Sequence, residues 1–411
     1  MTDNSSPSQP LDVSIVGAGI GGLAAAIALR RNGHHVQIFE SAEVKAEIGA
    51  AIVVPVNAQR VLEHFGYEKA NLQCVDFVGV QNFNSTESGS SRTALWMEIE
   101  GKVALMCVRS ELHGELERLA TGPGEGPPAV IHLASQVVNC NPEDASLTLG
   151  DGRVIEGDLV LGADGISSTI RTHVLGYEQK SVRTGLTNSR TLLDMSALDA
   201  IPELAWLREG VSGPRNIIEF GQRFRSLLLY PCRSGTLMNF VVIVEDPHQA
   251  DPGWIPSGSR EDLLAAFSDY HPQFQALLKM LPERIPRWQL RFVPVLPTWV
   301  CGRAALVGDA AHATLPTLGQ GAAQAVEDAG ALGVLLPAGT TRADIPARLK
   351  AYEALRKERA ELIARESHDQ MMVPSERGKY FRAPELQKYA MGYDVLTAAR
   401  KVYEEQFAGG K

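Results

Sequence analysis

The stretch DVSIVGAGIGGLAAAIALRRNGHHVQIFE (12–40) constrains the fold more than any other part of the chain. An apolar run enters a glycine turn, an Ala- and Leu-rich helical run closes at Gly33, and a second apolar run ends at Glu40. This is a βαβ unit. Gly17, Gly19 and Gly22 occupy the three positions of G-x-G-x-x-G: the first permits a tight turn, the second lets backbone approach a pyrophosphate, and the third lets helix and strand pack closely. Glu40 ends the second strand, 18 residues past Gly22, where a carboxylate accepts hydrogen bonds from a ribose and repels a 2′-phosphate. The expectation is an adenosine diphosphate half with a free 2′-OH. The competing reading is a glycine turn that is only structural. These residues alone leave FAD and NAD both open.

The chain of 411 residues is 45% hydrophobic, enough for two cores or for one α/β unit with an insertion. A net charge of −9 without a block of Lys or Arg argues against nucleic acid and anionic membrane surfaces, so a small-molecule partner is expected. Five scattered cysteines with no CxxC pair suggest neither a disulfide framework nor a metal site. No apolar run reaches the ~18 residues of a membrane span, and the opening MTDNSSPSQP is unlike a signal peptide. A soluble, cytoplasmic protein, monomer or homodimer, is expected.

Further on, 58–66 reads as a helix, 75–83 as a strand, 85–93 as a polar loop and 109–120 as a helix with Leu112, Leu116 and Leu119 on one face. Residues 129–163 read as a three-stranded meander. Strand-like runs at 215–220, 225–230 and 236–244 and a helical piece at 260–282 follow, and 346–411 is charged and mostly helical.

Two more glycine sites stand out. One is DLVLGADGISSTIR (158–171), with Asp164 in the turn and Arg171 beyond it; the other is LVGDAAHATLPTLGQGAAQAVEDAG (306–330). In the latter, glycines precede a helix start, which presents unpaired N–H donors and partial positive charge to something electron-rich. The ordered trio resembles the three motifs of class A flavoprotein monooxygenases, the p-hydroxybenzoate hydroxylase-like group, and most closely its salicylate hydroxylase-like branch, over roughly 11–365.

The resemblance implies FAD as cofactor and an α/β fold: a Rossmann-type, glutathione-reductase-like FAD-binding domain interrupted by a mainly β-sheet substrate domain, with C-terminal helices. The implied division is a disordered tail at 1–10, an FAD-binding domain from 11–74, 106–179 and 299–345, a substrate domain from 75–105 and 180–298, and a C-terminal helical segment at 346–411. It also implies that Asp309 hydrogen-bonds a ribityl hydroxyl, and that Arg109, in VRSELHGEL, reaches the FAD. Asp164, in the second motif near the pyrophosphate, is then a cofactor-binding candidate. Pro316 borders the flavin face where oxygen reacts, and backbone N–H groups from Gly319 through Gly321 to Ala322 face N1 and the C2 carbonyl. His312 is expected to pack structurally, Glu327 and Asp328 to form a solvated helix face, and Arg171 to serve either the site or a surface ion pair.

In that family NADPH or NADH reduces FAD transiently, and dioxygen then supplies the transferred oxygen through a flavin C4a-hydroperoxide. The expected reaction is hydroxylation of a phenolic or other electron-rich aromatic compound. No second glycine fingerprint encodes a nicotinamide domain, no CxxxxC pair suits a disulfide reductase, and the WxWxIP signature of flavin halogenases is absent. An epoxidase or indole-type oxidase of the same fold, and a flavoprotein steering a redox-neutral rearrangement, stay open as alternatives. Arg190, Arg223, Arg225, Tyr230 and Asn239 are candidates for the substrate wall. Strand alternation separates Arg225, Leu227 and Leu229 from Ser226, Leu228 and Tyr230, so at most one set lines a pocket. Arg190 matches an arginine that some members present toward the phenol, with Tyr230 as pocket partner; the alternatives are a structural ion pair and a core aromatic.

Overall fold

The computed structural model describes residues 9–44, 50–87, 91–95, 98–220, 224–246, 258–371 and 384–408. Most of the expected N-terminal tail, and Arg223, lie outside these residues. A six-stranded sheet runs in the order Val300–Cys301, Ala304–Leu306, Leu159–Gly162, Asp12–Val16, His35–Phe39, Val130–His132. All its neighbours are parallel except the first pair. Ile15, Leu161 and Ala305 are buried within it, as strands covered on both faces require. The helices Ile20–Arg31 and Gly321–Leu335 pack together over it, and Leu23, Ala24 and Val326 join its core.

A seven-stranded sheet follows the order Arg287–Phe292, Val182–Asp194, Leu237–Glu245, Phe224–Cys232, Arg215–Phe220, Gly79–Phe83, Ser91–Leu95. One face buries Ile217, Leu227, Leu229 and Phe240 against Phe267, Phe274 and Leu277, which lie in or beside the helices Arg260–Ala266 and Pro272–Lys279. The other face turns toward the first sheet. A small sheet of Ala51–Val54, Ala104–Val108 and Val75–Phe77 bridges the two, packing Ala51, Met106 and Val108 against Tyr230 and Cys232. Helices Ile345–Asp369, Pro384–Met391 and Val395–Phe407 complete the described chain.

Three local expectations need correction. Residues 75–83 form two strands in different sheets, because the Ser212 carbonyl accepts from both Val78 N–H and Gly79 N–H and turns the chain between them. Within the expected polar loop, Ser91–Leu95 is an edge strand paired to Gly79–Phe83; polar residues suit an edge. The meander at 129–163 exists as Val137–Asn141, Ser146–Leu149 and Val154–Glu156. Val130–His132 and Leu159–Gly162, read as parts of it, belong to the parallel sheet instead. No described helix is long and apolar enough to cross a membrane.

Candidate functional site

One continuous cavity of about 650 Å³ connects the first glycine turn, the third glycine motif and the inner face of the seven-stranded sheet. At the first turn the glycines divide their work. Gly17 has φ +99°, and a Cβ there would meet the Ala163 carbonyl oxygen at 2.5 Å; one on Gly22 would meet the Gly17 oxygen at 2.0 Å. A Cβ on Gly19 would meet nothing within 4 Å, so that face is open. The following helix starts at Ile20 with no side-chain cap and no acid in its first turn, and its leading N–H groups are free for a ligand. Glu40 Oε2 accepts from Ala18 N–H at 2.9 Å, while Oε1 accepts from Ala42 N–H at 2.9 Å. His113 Nε2–H donates to the Ala18 carbonyl at 2.8 Å, a contact with no local sequence signal.

In the third motif Gly308 has φ +63°, a conformation that favours glycine, and turns the strand Ala304–Leu306 into the short helix Asp309–His312. The Asp309 side chain is exposed to the cavity, and among the described residues its carboxylate has no hydrogen-bond or ion-pair partner. The cleft walls desolvate it and hold its pKa above the ordinary range, against the pull of His312 and Arg109. Arg109, at the start of the helix Arg109–Thr121, and Pro316 both line the cavity. So do Gly319, Gly321 and Ala322, where the helix Gly321–Leu335 begins without a side-chain cap or acid.

Glu327 and Asp328 overturn the expectation of a solvated face. Both are fully buried, and Arg356 bridges them. Arg356 Nε donates to Asp328 Oδ1 at 2.9 Å, and Arg359 binds Glu327 through Nε and Nη2 at 2.9 and 2.8 Å. Asp328 Oδ2 accepts from Gly308 N–H at 3.0 Å and lies 2.8 Å from His312 Nε2. His312 is therefore a packed structural group, as expected, with its ring 5.1 Å from that of Trp299. Asn57 Nδ2 donates to Glu327 at 2.7 Å and to Gln320 Oε1 at 3.0 Å. The cluster thus grips both ends of the third motif, the Gly308 turn and the Gln320 helix start. Burial alone would raise both carboxyls, but the facing cations hold them below the ordinary carboxylate range. One signal was available: the two acids sit in a helix that is apolar on all sides, which implies burial.

The second motif is more inward-looking than the other two. Asp164 accepts from Ser168 Oγ and from the N–H groups of Thr169 and Ile170 at 2.7 and 3.1 Å, capping the helix Thr169–Leu175, while its neighbours Ala163 and Gly165 line the cavity. Arg171 is buried rather than on the surface, and donates to the carbonyls of Ile166, Gln179 and Ala310 at 2.7, 3.1 and 3.1 Å; no ion pair holds it among the described residues.

On the sheet wall, alternation resolves in favour of Ser226, Leu228 and Tyr230, which line the cavity. Arg225 faces away; it pairs with Glu219 and Asp269 and stacks over Tyr270 with its guanidinium carbon 4.9 Å from the ring. Arg190, on Val182–Asp194, lines the cavity and makes no side-chain hydrogen bond or ion pair among the described residues, its Nε being buried without a partner. The structural ion pair considered for it is therefore absent among the described residues. Desolvation lowers its pKa, Tyr230 opposing and Arg109 adding to the shift. Burial raises the Tyr230 phenol well above its usual value. Asn239, cross-strand from Tyr230, is fully buried with neither amide atom partnered.

The chain is similar to known proteins over most of its length. Hispidin-3-hydroxylase from Neonothopanus nambi is 43% identical over 408 residues, covering 96% of each chain. A salicylate hydroxylase from Pseudomonas putida is 33% identical, covering 85% of this chain and 83% of its own. A solved salicylate hydroxylase substrate complex superposes with a TM-score of 0.76 at 27% identity, covering 96% of this chain and 98% of that one. The family model described as FAD binding domain matches residues 10–367, and the chain belongs to that family.

Proposed function

We propose that the protein is an FAD-dependent monooxygenase that hydroxylates a phenolic or similarly electron-rich aromatic compound, using NADH or NADPH and dioxygen as co-substrates. The observation that carries this reading is one continuous cavity in which two uncapped helix starts face a sheet wall bearing Arg190, which has no side-chain partner among the described residues. The relatives support it, being named as hydroxylases of hispidin and of salicylate.

The residues present fit FAD. The open face at Gly19 suits a pyrophosphate, Glu40 suits the ribose of the adenosine half, and the unpaired Asp309 carboxylate suits ribityl hydroxyls. The uncapped start at Gly319, Gly321 and Ala322 suits the N1 and C2-carbonyl edge of the ring, where a preorganised helix N-terminus stabilises negative charge. Bound FAD would relay electrons from nicotinamide to dioxygen, and dioxygen would be the source of the transferred oxygen atom. The chain's own part is to hold, orient and desolvate. Pro316 limits access on one side of the cavity, Arg109 contributes positive charge near Asp309, and Arg190 with Tyr230 receives the substrate oxygen. We assign Asp164 to shaping the second motif by capping its helix. The same reading divides the chain into an FAD-binding domain of 11–74, 106–179 and 299–345 around a substrate domain of 75–105 and 180–298, followed by the helical segment 346–411.

Purified protein that is yellow, releases FAD on denaturation, and consumes NADPH faster with a phenol while adding one oxygen atom to it meets the reading. Colourless protein that never takes up added FAD, or FAD-loaded protein that changes no aromatic compound, refutes it.

A further inference from the structure

The cavity wall is wider than a single-ring phenol needs, and its chemistry changes across that width. Registry across five adjacent strands sets Arg190 beside Val241, Val241 beside Leu228, Leu228 beside Asn216, and Asn216 beside Asn82. All five line the cavity. Strands about 4.8 Å apart put the ends of this row roughly 19 Å from one another. A cation stands at one end, two aliphatic side chains in the middle, and two amides at the other end.

The two amides have capacity to spare. Asn216 Nδ2 donates to Asn82 Oδ1, and Asn82 Nδ2 to the Arg92 carbonyl, each at the long distance of 3.4 Å. Contacts of that length are weak, and a ligand group replaces them readily. Among the described lining residues the cations are Arg109 and Arg190, and neither stands at the amide end. Arg92, opposite Asn82 on the edge strand, is exposed and outside the lining. A carboxylate placed between the amides would lose water without gaining a counter-charge, whereas a hydroxyl or carbonyl would be satisfied.

We propose that the cavity takes an extended substrate. Its reacting phenolic ring lies over Val241 and Leu228 with its oxygen toward Arg190, and an uncharged hydroxyl or carbonyl on a second unit is held by Asn216 and Asn82. This specificity rests on the aromatic-hydroxylase reading above and adds the length and the neutral far end. The Asn216–Asn82 pair is a substrate subsite, distinct from the groups that meet the flavin.

The test titrates FAD-loaded protein by flavin absorbance with resorcinol, with resveratrol, which carries the same ring and a hydroxystyryl extension, and with a stilbene bearing a carboxylate in place of the distal hydroxyl. Resveratrol is expected to bind at least tenfold more tightly than resorcinol, and the carboxylate compound more weakly than resveratrol. In Asn216→Ala and, separately, Asn82→Ala, the resveratrol-to-resorcinol ratio is expected to fall toward one. A ratio near one in the parent, a ratio untouched by both substitutions, or preference for the carboxylate overturns the subsite. In those cases NADPH oxidation stimulated by any of the phenols leaves the aromatic-hydroxylase reading standing. If no phenol perturbs the flavin or stimulates NADPH oxidation, that reading fails and the subsite falls with it.

Discussion

Arg356 Nε donates to Asp328 Oδ1 at 2.9 Å, and the same Asp328 carboxylate, through Oδ2, accepts the N–H of Gly308 at 3.0 Å. A cation on an outer helix is thereby one carboxylate away from the turn that presents Asp309 to the cavity. Arg356→Gln leaves two buried carboxylates short of a counter-charge, the case in which breaking a buried pair costs about 3–5 kcal/mol. The expected outcome is a lower denaturation midpoint together with faster FAD loss; Arg356→Lys, which keeps charge but not the fork, falls between. A variant with parental stability and FAD retention in a denaturant titration followed by flavin fluorescence contradicts this.

The same cluster sets an acid limit. Glu327 and Asp328 have folded-state pKa values below their ordinary ones, so their stabilisation is complete above the unfolded pKa and lost as pH falls through the folded value. Asp309, whose pKa is raised, has the opposite sign and contributes less as pH rises. Stability is therefore expected to decline below about pH 4. Asp328→Asn should flatten that limb while lowering stability at neutral pH. Unfolding curves at stepped pH settle it, and a limb of unchanged slope counts against the assignment.

The first βαβ unit and its glycine turn were legible because their constraints are local. Gly17, Gly19, Gly22 and Glu40 lie within one βαβ unit, and strand, turn and helix are each read from a few neighbouring residues. Glu327 and Asp328 were misread because their arginine partners lie 28 to 32 positions along the chain, on a helix whose run of Lys, Arg and Glu looks like solvent-facing surface. The break at Val78 was hidden for a similar reason, since the carbonyl that causes it belongs to Ser212. Alternation narrowed the sheet wall to two sets; which one faces the cavity depends on which side the aromatic helices cover, a tertiary fact.

Glu40 closes the glycine turn in the structure and is proposed to hold the ribose as well, and its removal tests the second role. Its carboxylate closes the glycine turn through Ala18 N–H and has lone pairs left for a ribose. Glu40→Ala is expected to weaken FAD by roughly 1–3 kcal/mol, the scale of a lost hydrogen bond to a charged group. Glu40→Gln keeps an acceptor for the turn and should recover part of that. Equal FAD affinity for all three proteins, by fluorescence of the released cofactor, contradicts the assignment.

Asp309→Ala removes a carboxylate that has no partner among the described residues, so the fold has little reason to suffer. The expected effect is on the cofactor: weaker FAD retention or a shifted flavin spectrum, with NADPH oxidation diverted from product to hydrogen peroxide. Native spectrum and full coupling in the variant reduce Asp309 to a helix-start acid.

The last prediction concerns Arg190, which lines the cavity and has no side-chain partner among the described residues. An unpaired, half-buried cation costs free energy in the empty fold, and that cost is relieved by an anion or a strong dipole placed beside it. A phenol titrates near pH ~10, and its phenolate is the stronger nucleophile toward an electrophilic oxygen, so a fixed guanidinium favours the ionised form and lowers that pKa. Tyr230 does not compete for this role, because burial keeps its own phenol protonated. Arg190→Gln is expected to depress hydroxylation steeply while leaving FAD bound, and to move the pH dependence of product formation upward, since free hydroxide must then ionise the substrate. Arg190→Lys retains the charge without the planar fork, and its profile should shift less while its rate stays low. Rapid-mixing measurements of product yield across pH decide the matter. If Arg190→Gln forms product at the parental rate with the parental pH profile, the guanidinium has no part in activating the substrate.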